Sequence, residues 1–165
     1  MSKTYIATFE STTDADRCIA RLYEEGFTRN DISMLVSDDT SKRHFAIEQR
    51  TKAPEGAAGG AAAGGLLGAL AAGLTAVGGI VIPGVGVLLA GPLVAALVGA
   101  GAGGALGGLV GGLVGLGFNE NEAKLVEDAV RKGNVVVAVT DESGERHRVV
   151  HGVFESTRAL GIARS

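Results

Sequence analysis

Three side chains near the end of the chain have the types and spacing of a metal-ligand set. His147, His151 and Glu155 follow one another at intervals of four residues, so on a helix each is turned by about 40° from the one before. Two histidines four residues apart on a helix can both bind one metal ion. The apolar face of the same segment centres on Val149 and Val153, so a solvated polar face is the simpler interpretation, and no metal ion is expected.

Two further patterns could carry chemistry, and both have plainer explanations. Gly99, Gly101 and Gly104 match the G-x-G-x-x-G spacing of dinucleotide-binding loops. No strand is predicted before them, and the position about 20 residues on lies near Glu120, at the edge of another predicted helix, so the match reflects glycine content. Cys18 falls on the apolar stripe of a predicted helix and has no histidine near it in the sequence, which indicates a buried, inert thiol. The sequence therefore predicts a protein that is not an enzyme and holds no cofactor.

Charge and cysteine content exclude several classes of protein. The chain has 165 residues, 15 basic and 18 acidic side chains and a net charge of −3, without the basic stripe of a nucleic-acid-binding domain. A single cysteine cannot form an internal disulfide, so a secreted disulfide scaffold is excluded and a reducing compartment is favoured.

The charges divide the chain into three segments. Residues 1–55 and 119–165 are ordinary mixed-charge sequence, whereas residues 56–118 contain no charged residue and include 22 of the 27 glycines. We therefore predict one αβ domain formed by the two flanks together, interrupted by residues 56–118.

Each flank predicts strand, helix and strand in that order. In the first flank, residues 3–9 and 31–37 are predicted to be strands, and the predicted helix between them ends at Gly26. In the second, residues 134–140 form a strand, 145–159 a helix and the tail after Gly161 an edge strand, preceded by an extra helix that starts at Asn119. A short additional strand is possible through Phe45 and Ile47. Two βαβ units in succession predict an α+β fold of the ferredoxin-like type, with an antiparallel sheet and two helices on one face.

The glycines of the middle segment recur every four residues. On a helix this spacing leaves one face without side chains, so that two helix backbones can approach closely. The glycines predicted to serve this helix packing are Gly56, Gly60, Gly64, Gly68, Gly99, Gly103, Gly107, Gly111 and Gly115.

The middle segment predicts a Gly/Ala-rich hydrophobic helical hairpin with a broken tip. Residues 80–92 contain Pro83 and Pro92, which disfavour one continuous helix. Arms over residues 56–82 and 93–117 would be about 40 and 37 Å long, against a bilayer core of about 30 Å. Insertion into the lipid bilayer, with both flanks in the cytoplasm, is one interpretation. The other is a soluble cytoplasmic assembly in which the hairpins pack against each other.

Three stretches together carry a resemblance to a known family. They are YIATFESTTDADRCIARLYEEGFTRNDISMLV, GGIVIPGVGVLLAGPLVAAL and GLVGLGFNENEAKLVEDAVRKGNVVVAV, and the resemblance spans about residues 4–140. Their order resembles the bacterial general-stress and heat-induced protein families, in which a glycine-zipper hairpin interrupts a small αβ domain. The resemblance implies a bacterial stress role and membrane association, and it carries no catalytic residues.

The function we expect is therefore structural. A non-enzymatic, membrane-associated protein of the stress response would assemble with copies of itself through its glycine-zipper helices. Two alternatives remain: a soluble homo-oligomeric scaffold, shell or filament, and a regulatory module whose αβ domain responds to a small ligand.

Overall fold

The computed structural model describes residues 2–37, 80–82, 86–89, 92–99 and 108–165. These residues form six strands and five helices. In chain order they are β1 (Lys3–Phe9), α1 (Thr12–Glu24), β2 (Ile32–Val36), β3 (Ile80–Ile82), β4 (Gly86–Leu89), α2 (Pro92–Gly99), α3 (Gly108–Gly115), α4 (Glu120–Arg131), β5 (Val135–Asp141), α5 (His147–Ser156) and β6 (Gly161–Arg164).

Local signals define the ends of α1. The Ser11 hydroxyl accepts a hydrogen bond from the Thr13 backbone N–H at 3.1 Å and caps the first turn, because the first backbone donors of a helix lack partners within it. Gly26 adopts φ +83° just beyond the last turn, a conformation that only glycine takes without strain. The Phe27 N–H then donates to the Leu22 carbonyl. The predicted helix and its glycine stop are confirmed.

All the strands of the described sheet pair antiparallel, in the order β3-β4-β2-β5-β1-β6. β5 lies at the centre of the strands contributed by the charged flanks, with β2 on one side and β1 on the other. Its seven residues are VVVAVTD, and the first five are buried. A run of β-branched residues suits a strand that is covered on both faces.

Each face of the sheet is covered by its own apolar core. On one face, α1 and α5 pack over β1, β2 and β5, with Tyr5, Phe9 and Phe154 among the largest buried side chains. On the other face lie Leu35 and Ile6 from the sheet, covered by apolar residues from α2, α3 and α4. The domain is therefore a mixed α+β protein with an antiparallel sheet between two helical layers.

The glycine-rich segment differs from the predicted hairpin in its second half. Residues 80–82 and 86–89, expected at a broken helical tip, form strands β3 and β4, and β4 pairs with β2 in the register Met34↔Leu89. Their sequences, IVI and GVLL, are rich in branched aliphatic residues that favour strands. The predicted arm over residues 93–117 appears as two separate helices of eight residues. Gly108 has φ +52°, which a regular right-handed helix does not accommodate.

Of the first predicted arm, residues 80–82 form β3. Its residues 56–79 and the additional strand predicted through Phe45 and Ile47 lie outside the described residues.

Candidate functional site

The three residues with metal-ligand spacing lie along α5 in a row of ring contacts. His147 stacks on Tyr5 with ring centroids 5.5 Å apart, and His151 meets His147 edge-on at 5.6 Å. The His151 Nδ1 lies 3.4 Å from a Glu155 carboxylate oxygen, an ion pair when the imidazole is protonated. In the described part of the chain, no three His, Cys, Asp or Glu side chains are grouped to hold a metal ion.

The buried end of this row contains two polar atoms without a hydrogen-bond partner among the described residues. They are the Tyr5 hydroxyl and the His147 Nδ1, and Tyr5 is only 2% exposed. Burial raises the pKa of Tyr5, and the charge of Asp141 raises it further while Arg164 opposes them. A phenol with a raised pKa stays neutral near pH 7, so the Tyr5 hydroxyl is not an activated nucleophile.

Cys18 is fully buried under α5. Burial raises the pKa of its thiol to about 12, against a smaller opposing effect of its hydrogen bond with Thr157. A thiol with so high a pKa is a poor nucleophile because the thiolate is the reactive form. The prediction of a buried thiol is confirmed.

Asp141, which the sequence analysis did not single out, is the most deeply buried carboxylate among the described residues, at 3% exposure. Its oxygens accept hydrogen bonds from the Ser143 N–H at 3.1 Å, the Ser143 hydroxyl at 2.7 Å and the Arg146 N–H at 2.8 Å. Burial raises the pKa of this carboxyl, but the hydrogen bonds outweigh burial and the net shift is downward. Asp141 thus closes the turn that leads into α5. An Asp two residues before a Ser in a turn is the signal that could have identified it.

An open groove of about 640 Å³ runs between α1 and α5. Arg17, Arg21 and Arg148 line it together with Glu24 and Glu25, so its charges are mixed. Two of the arginines already have partners on the protein: Arg17 bonds an Asp14 carboxylate oxygen at 3.0 Å, and Arg21 bonds the Ser156 hydroxyl at 2.9 Å. The groove therefore does not define a ligand class.

Two of the predicted helix-packing glycines lie on the surface. Gly111 and Gly115 are exposed on α3, and a Cβ built on either has no atom within 4 Å. On the same helix, Leu109 and Leu113 are fully buried, so the leucines face the sheet and these two glycines face outward. Gly99 is the last residue of α2. The other predicted packing glycines lie outside the described residues: Gly56, Gly60, Gly64, Gly68, Gly103 and Gly107.

No protein-family model, curated protein or solved structure matches this chain. Among the helices that the structure describes, none combines the length and the hydropathy needed to cross a bilayer. A functional assignment therefore rests on the residues themselves.

Proposed function

We propose that this protein is a non-enzymatic structural protein that assembles with copies of itself through its glycine-rich segment. The orientation of α3 carries this proposal. Leu109 and Leu113 are fully buried toward the sheet, whereas Gly111, Val114 and Gly115 lie on the exposed side. Glycines four residues apart leave a flat strip on a helix, and such a strip favours close approach of a second helix.

We propose that the domain carrying this segment is a ferredoxin-like unit. The order β2-β5-β1-β6 among the strands of the charged flanks supports this assignment. The antiparallel pairing of these strands and the placement of α1 and α5 over one face also support it. The glycine-rich segment enters this unit after β2 and covers its other face.

The proposed setting of the assembly is the cytoplasmic side of a bacterial membrane under stress. Two sequence features support it: the 63 residues from 56 to 118 carry no charge, and the chain resembles general-stress proteins with a glycine-zipper hairpin. Each interior glycine costs a helix about 1 kcal/mol relative to alanine. Helices with this composition are therefore stabilised mainly by packing against other helices or by lipid.

Fractionation of the untagged full chain tests the proposal. Cells are lysed, membranes are washed with alkaline carbonate, and every fraction containing the protein is examined by electron microscopy and by sedimentation velocity. Oligomers retained in washed membranes are the expected result. Large regular particles in the wash would refute the membrane setting and keep self-assembly, and monomers in every fraction would refute self-assembly.

Matched glycine variants then test the packing strip itself. In Gly111→Leu/Gly115→Leu, the strip is filled while the leucine face of α3 stays unchanged. Gly152→Leu on α5 is the control, because an added Cβ there also meets no atom within 4 Å. Leucine favours helix over glycine by up to about 1 kcal/mol, so neither change should unfold its helix. We expect the double variant to lose the large assembly and the control to keep it; equal particle sizes for the two would contradict glycine-mediated packing.

A further inference from the structure

The strand β6 ends the described sheet and has one neighbour, β1, among the described residues. The Ser165 N–H donates to the Thr4 carbonyl at 3.0 Å. In an antiparallel pair, hydrogen-bonded and non-hydrogen-bonded positions alternate, so Ala163 also bonds to β1. The backbone N–H and C=O groups of Ile162 and Arg164 consequently point away from β1, along the edge of the sheet that has no further strand among the described residues.

An apolar groove runs beside this edge, between β6 and α4. It has a volume of about 300 Å³. Leu125 of α4 and Leu160 just before β6 line it, and they are 68% and 60% exposed. Large apolar side chains this exposed, next to strand backbone that has no partner among the described residues, are typical of an interface.

The charges around the groove favour a second copy of the same chain as its occupant. Glu122 lies on the rim near the start of α4, and Lys132 lies at the end of the helix, with Asp128 one turn before it. A copy turned by 180° runs its α4 antiparallel to the first. Its Lys132 then lies beside the first copy's Glu122, and the opposite dipoles of the two helices also attract.

The same rotation pairs the outward backbone N–H and C=O groups of β6 with those of the second copy. When the axis passes beside Ile162, Ile162 of each copy faces Ile162 of the other in an antiparallel pair. The outward N–H of each then donates to the outward carbonyl of the other. Residues opposite one another in an antiparallel pair share a face of the sheet, so both α4 helices lie on the same side and their Leu125 side chains are shielded together.

We propose that two copies of this chain pair through their β6 edges, joining the two sheets across a two-fold axis with α4 against α4. This dimer is independent of the glycine strip on α3, which belongs to a different helix. With both contacts present, the β6 dimer would be the unit from which the glycine-mediated assembly is built.

Residue-resolved hydrogen exchange of the wild-type chain over a range of protein concentrations tests the pairing. The Ile162 amide should exchange at least tenfold more slowly at high concentration than at low, while Ala163, already bonded to β1, should not change. Exchange of Ile162 that is fast at every concentration would overturn the proposal. Protection of Ile162 that is independent of concentration would also overturn it, because a segment of the same chain would then cover the edge.

Surface variants provide the second test. Leu125→Lys places a charge within one helical turn of the two-fold axis, on a side chain that is 68% exposed, so the fold should be unaffected, as circular dichroism will verify. In sedimentation equilibrium we expect Leu125→Lys to raise the dimer dissociation constant at least tenfold. Val114→Lys, at an exposed position on α3, should leave the β6 dimer intact.

The dimer and the glycine assembly can fail separately. Gly111→Leu/Gly115→Leu should reduce the large assembly to dimers, whereas Leu125→Lys should remove the dimer contact. A Leu125→Lys variant that dimerises like the wild type would refute the β6 interface and leave the proposed function standing.

Discussion

Truncation of one leucine in α3 tests whether the glycine-rich segment is part of the domain core. Leu113 is 0% exposed and lies in the core that covers the second face of the sheet. Its neighbour Val114 is 43% exposed on the same helix. If α3 packs on the sheet as the structure describes, Leu113→Ala should be strongly destabilising and Val114→Ala nearly neutral.

The expected magnitudes follow from burial. Leu→Ala removes three carbons at about 0.8 kcal/mol each, or about 2.4 kcal/mol of transfer free energy. The cavity that remains brings the cost to about 3 kcal/mol, within the usual range for buried leucines. For a chain of this length, that loss lowers Tm by about 6 to 12 °C. At Val114 the small loss of partly buried surface is offset by the better helix propensity of alanine, so we expect a change of about 0.5 kcal/mol or less.

The assay is urea and thermal unfolding of both variants, followed by far-UV circular dichroism because the chain has no tryptophan. Equal costs for the two substitutions, or a cost below about 1 kcal/mol for Leu113→Ala, would refute the packing of α3 on the sheet. The second half of the glycine-rich segment would then be an appendage rather than part of the core.

Three further predictions concern the flanks. The pKa of Asp141 is lowered in the folded state, so the stability that this carboxylate contributes is present above its unfolded pKa and is lost as the pH falls through its folded pKa. Asp141→Asn should therefore make the urea unfolding midpoint less dependent on acid pH. An unchanged dependence would contradict this. Gly26→Ala should destabilise the folded protein by about 1 to 2 kcal/mol because φ is +83° there. Gly152→Ala, inside helix α5, should stabilise the folded protein by up to about 1 kcal/mol. A higher Tm for Gly26→Ala than for Gly152→Ala would be inconsistent with these backbone conformations. Cys18, with its pKa raised to about 12, should resist thiol reagents at pH 8 in the folded protein and react at once in urea, and fast labelling of the folded protein would show that the thiol is accessible.

The elements of the flanks could be predicted because their signals are local. Residues 3–9 form a strand with the predicted bounds, and Asn119 caps α4 as expected. The detail of that cap differs: the Asn119 side chain accepts from the Asn121 N–H at 2.9 Å rather than from Glu122, the partner in a capping box. Several residues can serve as the donor at a helix start, so the sequence predicts the cap more reliably than its partner.

The candidate site residues were only partly predictable. The spacing of His147, His151 and Glu155 correctly placed them along one helix, but the stacking of His147 on Tyr5 joins positions 142 residues apart in the chain. The position of β6 at the edge of the described sheet likewise needed the strand order, since a strand's neighbours are set by pairing with distant segments. The exposed Leu125 and Leu160 come together only because α4 lies beside that edge.

The sequence by itself determined, to within about three residues, where helices and strands begin and end in the described parts of the flanks. It also determined which face of α1 is buried, and that residues 56–118 carry no charge. These properties depend on contacts within a few residues, such as caps, glycine stops and the apolar stripe through Ile19 and Leu22. Only the tertiary structure decided that residues 80–89 extend the sheet beside β2 and that α3 turns its leucines toward it. A segment of glycine, alanine and branched aliphatic residues fits a lipid-facing helix, a strand or a core-facing helix almost equally well. Which of these structures forms depends on the distant segment that it packs against, and that contact exists only in the tertiary structure.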